Sequence, residues 1–185
     1  MNVTAAEAQR VLERADCLHS AQQVEQAFDR MAAAITAELH DANPVVMCVM
    51  NGALVPAGHL VVRLHFPLQL DYLHATRYRG ATAGGELHWV AKPQCDVRGR
   101  QVLVIDDILD EGVTLAAIMD YLRAQGAVQV YSAVLVEKLH ERKSGLRRAD
   151  FVGLQVEDRY VFGYGMDYKG YLRNAPGIYA VSGDD

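Results

Sequence analysis

Two adjacent acids, Asp106 and Asp107, follow the apolar run Val102-Leu103-Val104-Ile105, and a third, Asp110, opens the segment Asp110-Glu111-Gly112-Val113-Thr114. Removing neighbouring carboxylates from water is costly unless a cation or hydrogen-bond donors compensate. Magnesium and sugar hydroxyls would do so. After Thr114 the apolar positions switch to helical spacing at Leu115, Ile118, Met119 and Leu122, so the acidic segment joins a buried strand to a helix start. Backbone N–H groups there, with Gly112 permitting close approach and Thr114 offering a hydroxyl, form a cradle for phosphate. Asp110 and Glu111 also have a plainer use, because carboxylates favour a helix N-terminus by roughly 0.3–1 kcal/mol each. That use explains neither the preceding acid pair nor the glycine.

Open α/β sheets bind ligands beyond the carboxyl ends of their strands, so the elements around residues 102–115 must position these groups. Thr4 followed by Glu7 is a capping box that predicts a helix to about Ala15. A second helix is expected from about Ser20 to His40, with the stripe Val24, Phe28, Met31, Ile35 and Leu39, and Pro44 closes the helical region. Val45 to Met50 read as a buried strand, Leu54 to Leu64 as a helix and Leu68 to Leu73 as a strand. The helix after Thr114 should end near Gly126, and Val128 to Glu137 form a further strand with Lys138 directly after it. This alternation implies an α/β fold, a mostly parallel twisted sheet flanked by helices, with right-handed crossovers. Residues 76–88 break the pattern. They are rich in glycine and small residues and read as a mobile loop, in which Arg77 and Arg79 suit the covering of an anion.

At 185 residues and 51% hydrophobic, the chain suits one domain spanning 1–185. Eighteen basic against 23 acidic side chains give a net charge of -5, which argues against a broad basic face for nucleic acid. Cys17, Cys48 and Cys95 are odd in number and lack paired metal spacing, so a reduced, cytoplasmic protein is expected. No run approaches the roughly 20 apolar residues of a membrane span, and the first residues do not read as a secretory signal.

The string from Val102 to Thr114 resembles the type I phosphoribosyltransferases, whose fingerprint is an apolar strand, two acids, two apolar residues, an acid and a phosphate-binding turn. The closer resemblance is to their purine, hypoxanthine-guanine branch. A second block, Asp150-Phe151-Val152-Gly153 and then Asp158-Arg159-Tyr160-Val161-Phe162-Gly163-Tyr164-Gly165-Met166-Asp167-Tyr168, is similar to that branch's purine-binding hood. The resemblance covers about residues 45–180. It implies a core of about 42–150, a hood from about 1–41 and 151–185, and a flexible loop at 76–88 that carries the aromatic Tyr78.

The resemblance also implies roles. Asp106 and Asp107 would contact the ribose hydroxyls and bound magnesium of phosphoribosyl pyrophosphate, and Asp110, Glu111, Gly112, Val113 and Thr114 would hold its 5′-phosphate. Asn51, Gly52 and Arg173 would face pyrophosphate, and Asp167 would lie near a second magnesium and help bind the purine. Lys138 would donate to the 6-oxo group of hypoxanthine or guanine, Tyr160 would stack on the base, and the Val161 backbone would meet the purine edge. The implied reaction is transfer of 5-phosphoribosyl to purine N9, with Asp110 as general base at N7. Asn51 stands where many members have lysine, and Glu111 where threonine or serine is common. These departures keep open a protein that senses phosphoribosyl pyrophosphate without turnover, or an enzyme for xanthine or a pyrimidine. Related enzymes form dimers or tetramers, and Leu54, Val55, Leu60, Val61 and Val62 serve either such an interface or the core.

Overall fold

In the computed structural model, which describes residues 3–77 and 87–183, the chain opens with two helices that side chains cap. The Thr4 hydroxyl accepts from the Glu7 N–H at 3.2 Å while Glu7 takes the Thr4 N–H at 2.7 Å, and α1 (Ala5–Arg14) follows. After the strand β1 (Asp16–Ser20), Ser20 and Gln23 repeat the box at the head of α2 (Ala21–Leu39). The stripe Val24, Phe28, Met31, Ile35 and Leu39 is buried, since a 3.6-residue period puts these positions on one face. Strands and helices then alternate: β2 (Val45–Val49), α3 (Leu54–Val61), β3 (Gln69–Arg77), β4 (Leu87–Ala91), β5 (Gln101–Leu109), α4 (Val113–Ala124), β6 (Gln129–Leu139) and β7 (Phe151–Glu157). The last strands are β8 (Val161–Phe162) and β9 (Gly177–Ala180).

Six strands form one sheet in the order β4-β3-β2-β5-β6-β7. Every pairing in it is parallel except β3 with β4. β2 and β5 lie together at its centre, with Val45–Cys48 opposite Val102–Ile105, and all eight of these residues are buried. Burial on both faces explains their unbroken apolar runs. From β2 the chain moves outward to β3 on one side; from β5 it moves to β6 on the other. The connections leaving the two carboxyl ends therefore diverge, and a crevice opens where parallel sheets take ligands.

A second, antiparallel sheet has the order β1-β9-β8. Beneath it Phe162 is fully buried and stacks on Tyr179 at 5.7 Å, with Val11 of α1 in the same cluster. This small layer draws its strands from the two chain segments, 1–41 and 151–185, expected to form the hood. β7 is the edge strand of the large sheet and α2 packs on it, so both belong to the main body. Gly153 leaves room for that packing, because a Cβ there would lie 2.9 Å from Met31 Sδ and 2.8 Å from the Leu135 carbonyl oxygen.

Several boundaries differ from expectation. β5 continues past Ile105 through the acid pair, since Asp106, Ile108 and Leu109 keep their places opposite Val134, Val136 and Glu137 of β6. β6 likewise carries Lys138 within the strand, opposite Val156. α3 stops at Val61 instead of Leu64. β3 runs to Arg77 and pairs with β4 through Thr76 and His88, so the ends of the expected 76–88 loop are strands. Tyr78, Arg79 and the rest of 78–86 lie outside the described residues. Among the described residues no helix is long and apolar enough to cross a membrane.

Phe28 joins α2 to the rest of the core. Its ring lies 5.3 Å from His59 and 6.1 Å from Tyr164, with the Arg63 guanidinium 5.7 Å from its centroid. Phe28→Ala is expected to lower the unfolding free energy by about 3–5 kcal/mol, read as a lower urea midpoint at unchanged m value.

Candidate active site

The acid pair stands at the carboxyl end of β5, facing the crevice between the diverging loops. The Asp107 N–H donates to Asp106 Oδ1 at 2.9 Å, and the Ile108 N–H to Asp107 Oδ1 at 2.8 Å. Burial first, and then the neighbouring Asp107 charge, push the Asp106 carboxyl well above the usual range. Burial also raises Asp107, while its contact with Asp106 and the charge of Arg173 draw it part of the way back. Two hard oxygen donors that lack a full compensating cation suit a divalent ion such as magnesium or calcium.

Arg173 is the positive group nearest this pair among the described residues. Its guanidinium lies 2.7 Å from Asp167 Oδ1 and 3.9 Å from Asp107 Oδ2, so it stands between two of the acids expected near metal. Asp167 Oδ2 also accepts the Gly170 N–H at 2.7 Å. Arg173 is held by its own loop, since the Gly165 N–H donates to the Arg173 carbonyl at 2.9 Å and the guanidinium donates back to the Gly165 carbonyl. The loop after β2 closes the same wall. Its Met50–Asn51 peptide is cis and Asn51 is exposed. A Cβ on Gly52 would lie 2.0 Å from Asp107 Oδ2, and one on Gly165, whose φ is +106°, would lie 2.0 Å from the Gly52 carbonyl oxygen. The acid, the loop and the C-terminal segment can meet here only because neither position carries a side chain.

The turn after β5 ends on Gly112 in the left-handed region at φ +75°, where it caps α4. No side chain caps the first-turn amides of α4, so they remain donors for an anion. Residues 144–146 brace the turn: the Ser144 and Gly145 N–H groups donate to the Glu111 carbonyl at 3.2 and 3.1 Å, and the Leu146 N–H to the Gly112 carbonyl at 3.0 Å. A Cβ on Gly112 would lie 2.1 Å from the Leu146 carbonyl oxygen, so glycine is needed for contact as well as for dihedral angle. Glu111 is exposed. A cavity of about 780 Å³ runs along Asp106 to Leu115, within the range of small-molecule sites.

Asp110 lies at the far side of the turn and meets residues from the end of β6. Lys138 Nζ is 2.9 Å from Asp110 Oδ2, and His140 Nε2 is 2.7 Å from Oδ1. Burial pushes the Asp110 carboxyl up, but hydrogen bonds from Lys138 and His140 outweigh it and hold the group below the usual carboxylate range. Lys138 also faces Asp158 at 3.9 Å, and Arg142 pairs with Asp158 at 2.8 Å. Tyr160, two residues on, is half exposed with its ring against that of Tyr168, and Val161 is buried in β8 opposite Ala180.

The structure therefore gathers Gly52, Asp106, Asp107, Asp167 and Arg173 at one end of the crevice and joins Lys138 to Asp110 at the other. Tyr160 and Val161 stand on the small layer, and Arg77 ends β3. His140 and Gly165 received no role from the sequence. For His140 a signal existed: it is two residues beyond Lys138, and alternate residues of an extended chain share a face.

The chain matches the phosphoribosyl transferase domain family over residues 14–169. It is 32% identical over 162 residues to a hypoxanthine-guanine phosphoribosyltransferase of Bacillus subtilis (strain 168), covering 87% of this chain and 89% of the relative. A hypoxanthine-guanine-xanthine phosphoribosyltransferase of Tritrichomonas foetus is also 32% identical, over 87% of this chain and 88% of its own. The crystal structure of a hypoxanthine phosphoribosyltransferase from Staphylococcus aureus shares the fold with a TM-score of 0.86 at 25% identity, covering 91% of this chain and 92% of that one. The family match takes in the acid pair, the turn after it, Lys138 and Asp167, and the chain belongs to the phosphoribosyltransferase family.

Proposed function

We propose that the protein transfers the 5-phosphoribosyl group of phosphoribosyl pyrophosphate to N9 of hypoxanthine or guanine, forming IMP or GMP and releasing pyrophosphate. The observation that supports this reading is the 2.9 Å contact of Asp110 with Lys138, the two groups assigned here as base and 6-oxo donor, beside the turn that opens α4. In the reaction the C1′–O bond breaks with its electrons leaving on pyrophosphate, the N9 lone pair forms the new C1′–N bond, and the purine N7 proton passes to Asp110. The ring oxygen stabilises the oxocarbenium-like centre, as in glycoside chemistry.

The turn from Asp110 to Thr114 binds the 5′-phosphate through backbone amides and fixes C1′ relative to the base. Asp106 and Asp107 take the ribose hydroxyls. Together with Asp167 they would hold magnesium, which supplies positive charge against the leaving pyrophosphate when bound. Arg173 and the backbone at Asn51 and Gly52 meet the pyrophosphate itself. Lys138 donates to the 6-oxo group, and adenine, with an amino group there, would leave it unsatisfied. Tyr160 presents a ring to the base, and Val161 a backbone edge.

A self-associated protein is part of this reading. Leu54, Val62, Leu70 and Tyr72 are exposed together along an apolar groove of about 550 Å³, whereas Leu60 belongs to the core. A contiguous apolar surface of this kind favours a second copy as its cover. Cys17, Cys48 and Cys95 are all free thiols, which suits a reducing cytoplasm.

With magnesium and phosphoribosyl pyrophosphate, pyrophosphate release is expected with hypoxanthine or guanine and not with adenine or uracil, and xanthine is the informative third 6-oxopurine. Silence with every base alongside retained phosphoribosyl pyrophosphate binding would point to a sensor. Asp110→Asn is expected to lower kcat by about 10²-fold or more at an unchanged far-UV circular dichroism spectrum; undiminished turnover would remove the proposed base. Light scattering should give at least twice the 20.4 kDa chain mass, and Val62→Asp should shift the protein toward monomer. A monomeric mass for the unaltered protein would overturn the association.

A further inference from the structure

We propose that His140 is the positioning residue of Asp110, its Nε2–H holding Oδ1 so that Oδ2 stays directed at the purine when Lys138 turns to the 6-oxo group. This inference rests on the reaction proposed above.

The hydrogen bonds around the ring decide its proton. The Arg142 N–H donates to His140 Nδ1 at 3.1 Å, so Nδ1 supplies a lone pair and the neutral ring carries its hydrogen on Nε2. Nε2 lies 2.7 Å from Asp110 Oδ1 and is therefore the donor in that contact. The imidazole is 6% exposed, which limits its reorientation.

Lys138 occupies the other carboxylate oxygen, Oδ2, at 2.9 Å. Both proposed purine contacts thus begin bound to each other, and the arriving base must take Lys138 from Asp110. Without a second donor the carboxylate would then be free to rotate. With His140 in place, one oxygen stays fixed and the other is released next to N7. The remaining charged groups do not substitute for this contact: Asp158 lies 3.9 Å from Lys138 and is paired with Arg142, and Glu111, next in the chain, is acidic and exposed. Asp110, His140 and Asp158 have ligand atoms within 4.8 Å of one another, as in a metal cluster. The Lys138 ammonium beside both carboxylates and the hydrogen on Nε2 make the group a hydrogen-bond network instead.

The arrangement has a kinetic consequence. Lys138 and His140 together hold Asp110 below the usual carboxylate range in the free protein. Transfer of Lys138 to the purine removes one of the two donors, so Asp110 becomes a stronger base as its substrate arrives. The acid limb of kcat, which reports the bound enzyme, should then lie at higher pH than that of kcat/KM, which reports the free enzyme.

The test compares His140→Ala with His140→Gln, whose amide N–H restores a donor near the Nε2 position. Steady-state profiles with hypoxanthine across pH are measured beside a carbon NMR titration of Asp110 in the ligand-free protein, assigned with Asp110→Asn. His140→Ala is expected to lower kcat about tenfold, leave KM for phosphoribosyl pyrophosphate within about twofold and shift the Asp110 titration upward. His140→Gln should recover both kcat and titration. If His140→Ala does not fold, His140→Asn, whose shorter amide falls short of Asp110, replaces it. An Asp110 titration that coincides in all forms, or a Gln variant no better than Ala or Asn, overturns the assignment. Wild-type turnover with an unmoved titration rejects His140 alone, whereas a shifted titration in a protein silent with every base rejects the reaction and leaves the contact standing.

Discussion

Two neighbouring carboxylates toward the carboxyl end of a central, largely buried strand set the terms for everything packed around them. β5 runs between β2 and β6 with Val102 to Ile105 buried, and it continues through the acid pair, Asp106 opposite Val134 and Ile108 opposite Val136 of β6. Burial raises both carboxyls, so their surroundings must offer donors or a cation without adding bulk. The local answer is the pair of backbone N–H groups of Asp107 and Ile108. The distant answer is Arg173, carried by a loop that approaches only because Gly165 lies flat against Gly52 and Gly52 against Asp107. Three segments far apart in the chain thus converge on one electrostatic requirement, and the wall they form is suited to a ligand that brings magnesium and hydroxyl groups.

The opposite end of the crevice is organised by Asp110. The parallel register that places Leu109 opposite Glu137 sets Asp110 beside Lys138. The segment after β6 then returns to brace the phosphate turn, with Lys143 anchored on the buried Glu137 at 2.6 Å and Ser144, Gly145 and Leu146 bonded to the turn's carbonyls. Gln155 of β7 holds the second oxygen of Glu137 at 3.1 Å. A turn tied in this way keeps its amides and its carboxylate in fixed relation, which is what positioning and electrostatic stabilisation both need. Lys138, Asp110 and His140 act within that frame as one hydrogen-bonded unit instead of three separate contacts.

Elements were legible in proportion to their length and periodicity. The 19 residues of α2 carry a full apolar stripe between a capping box and a proline, and their reading agrees with the structure to within a residue at each end. β2 and the strand–turn–helix around Gly112 were equally plain, because burial on both faces leaves a continuous apolar run. β8 has two residues, β9 four, and β1 only five with an irregular burial pattern, too few for a period to emerge. β7 owes its place in the large sheet to β6, and α2 packs on β7, contacts that no local pattern records.

The sequence by itself determined the kinds of groups available and their local setting: an acid pair that follows a buried apolar run, a glycine just before a helix start, a lysine near the end of another strand. Each follows from neighbours within a few residues, where chain geometry fixes direction and spacing. Only the tertiary structure decided which of these groups touch. The strand order that separates β3 from β6 opens the crevice, sets Asp110 against Lys138 28 positions away, brings Gly165 onto Gly52, and fixes the proton of His140 through a backbone N–H. Such pairings depend on how layers close over one another, and side-chain spacing along the chain carries no record of that closure.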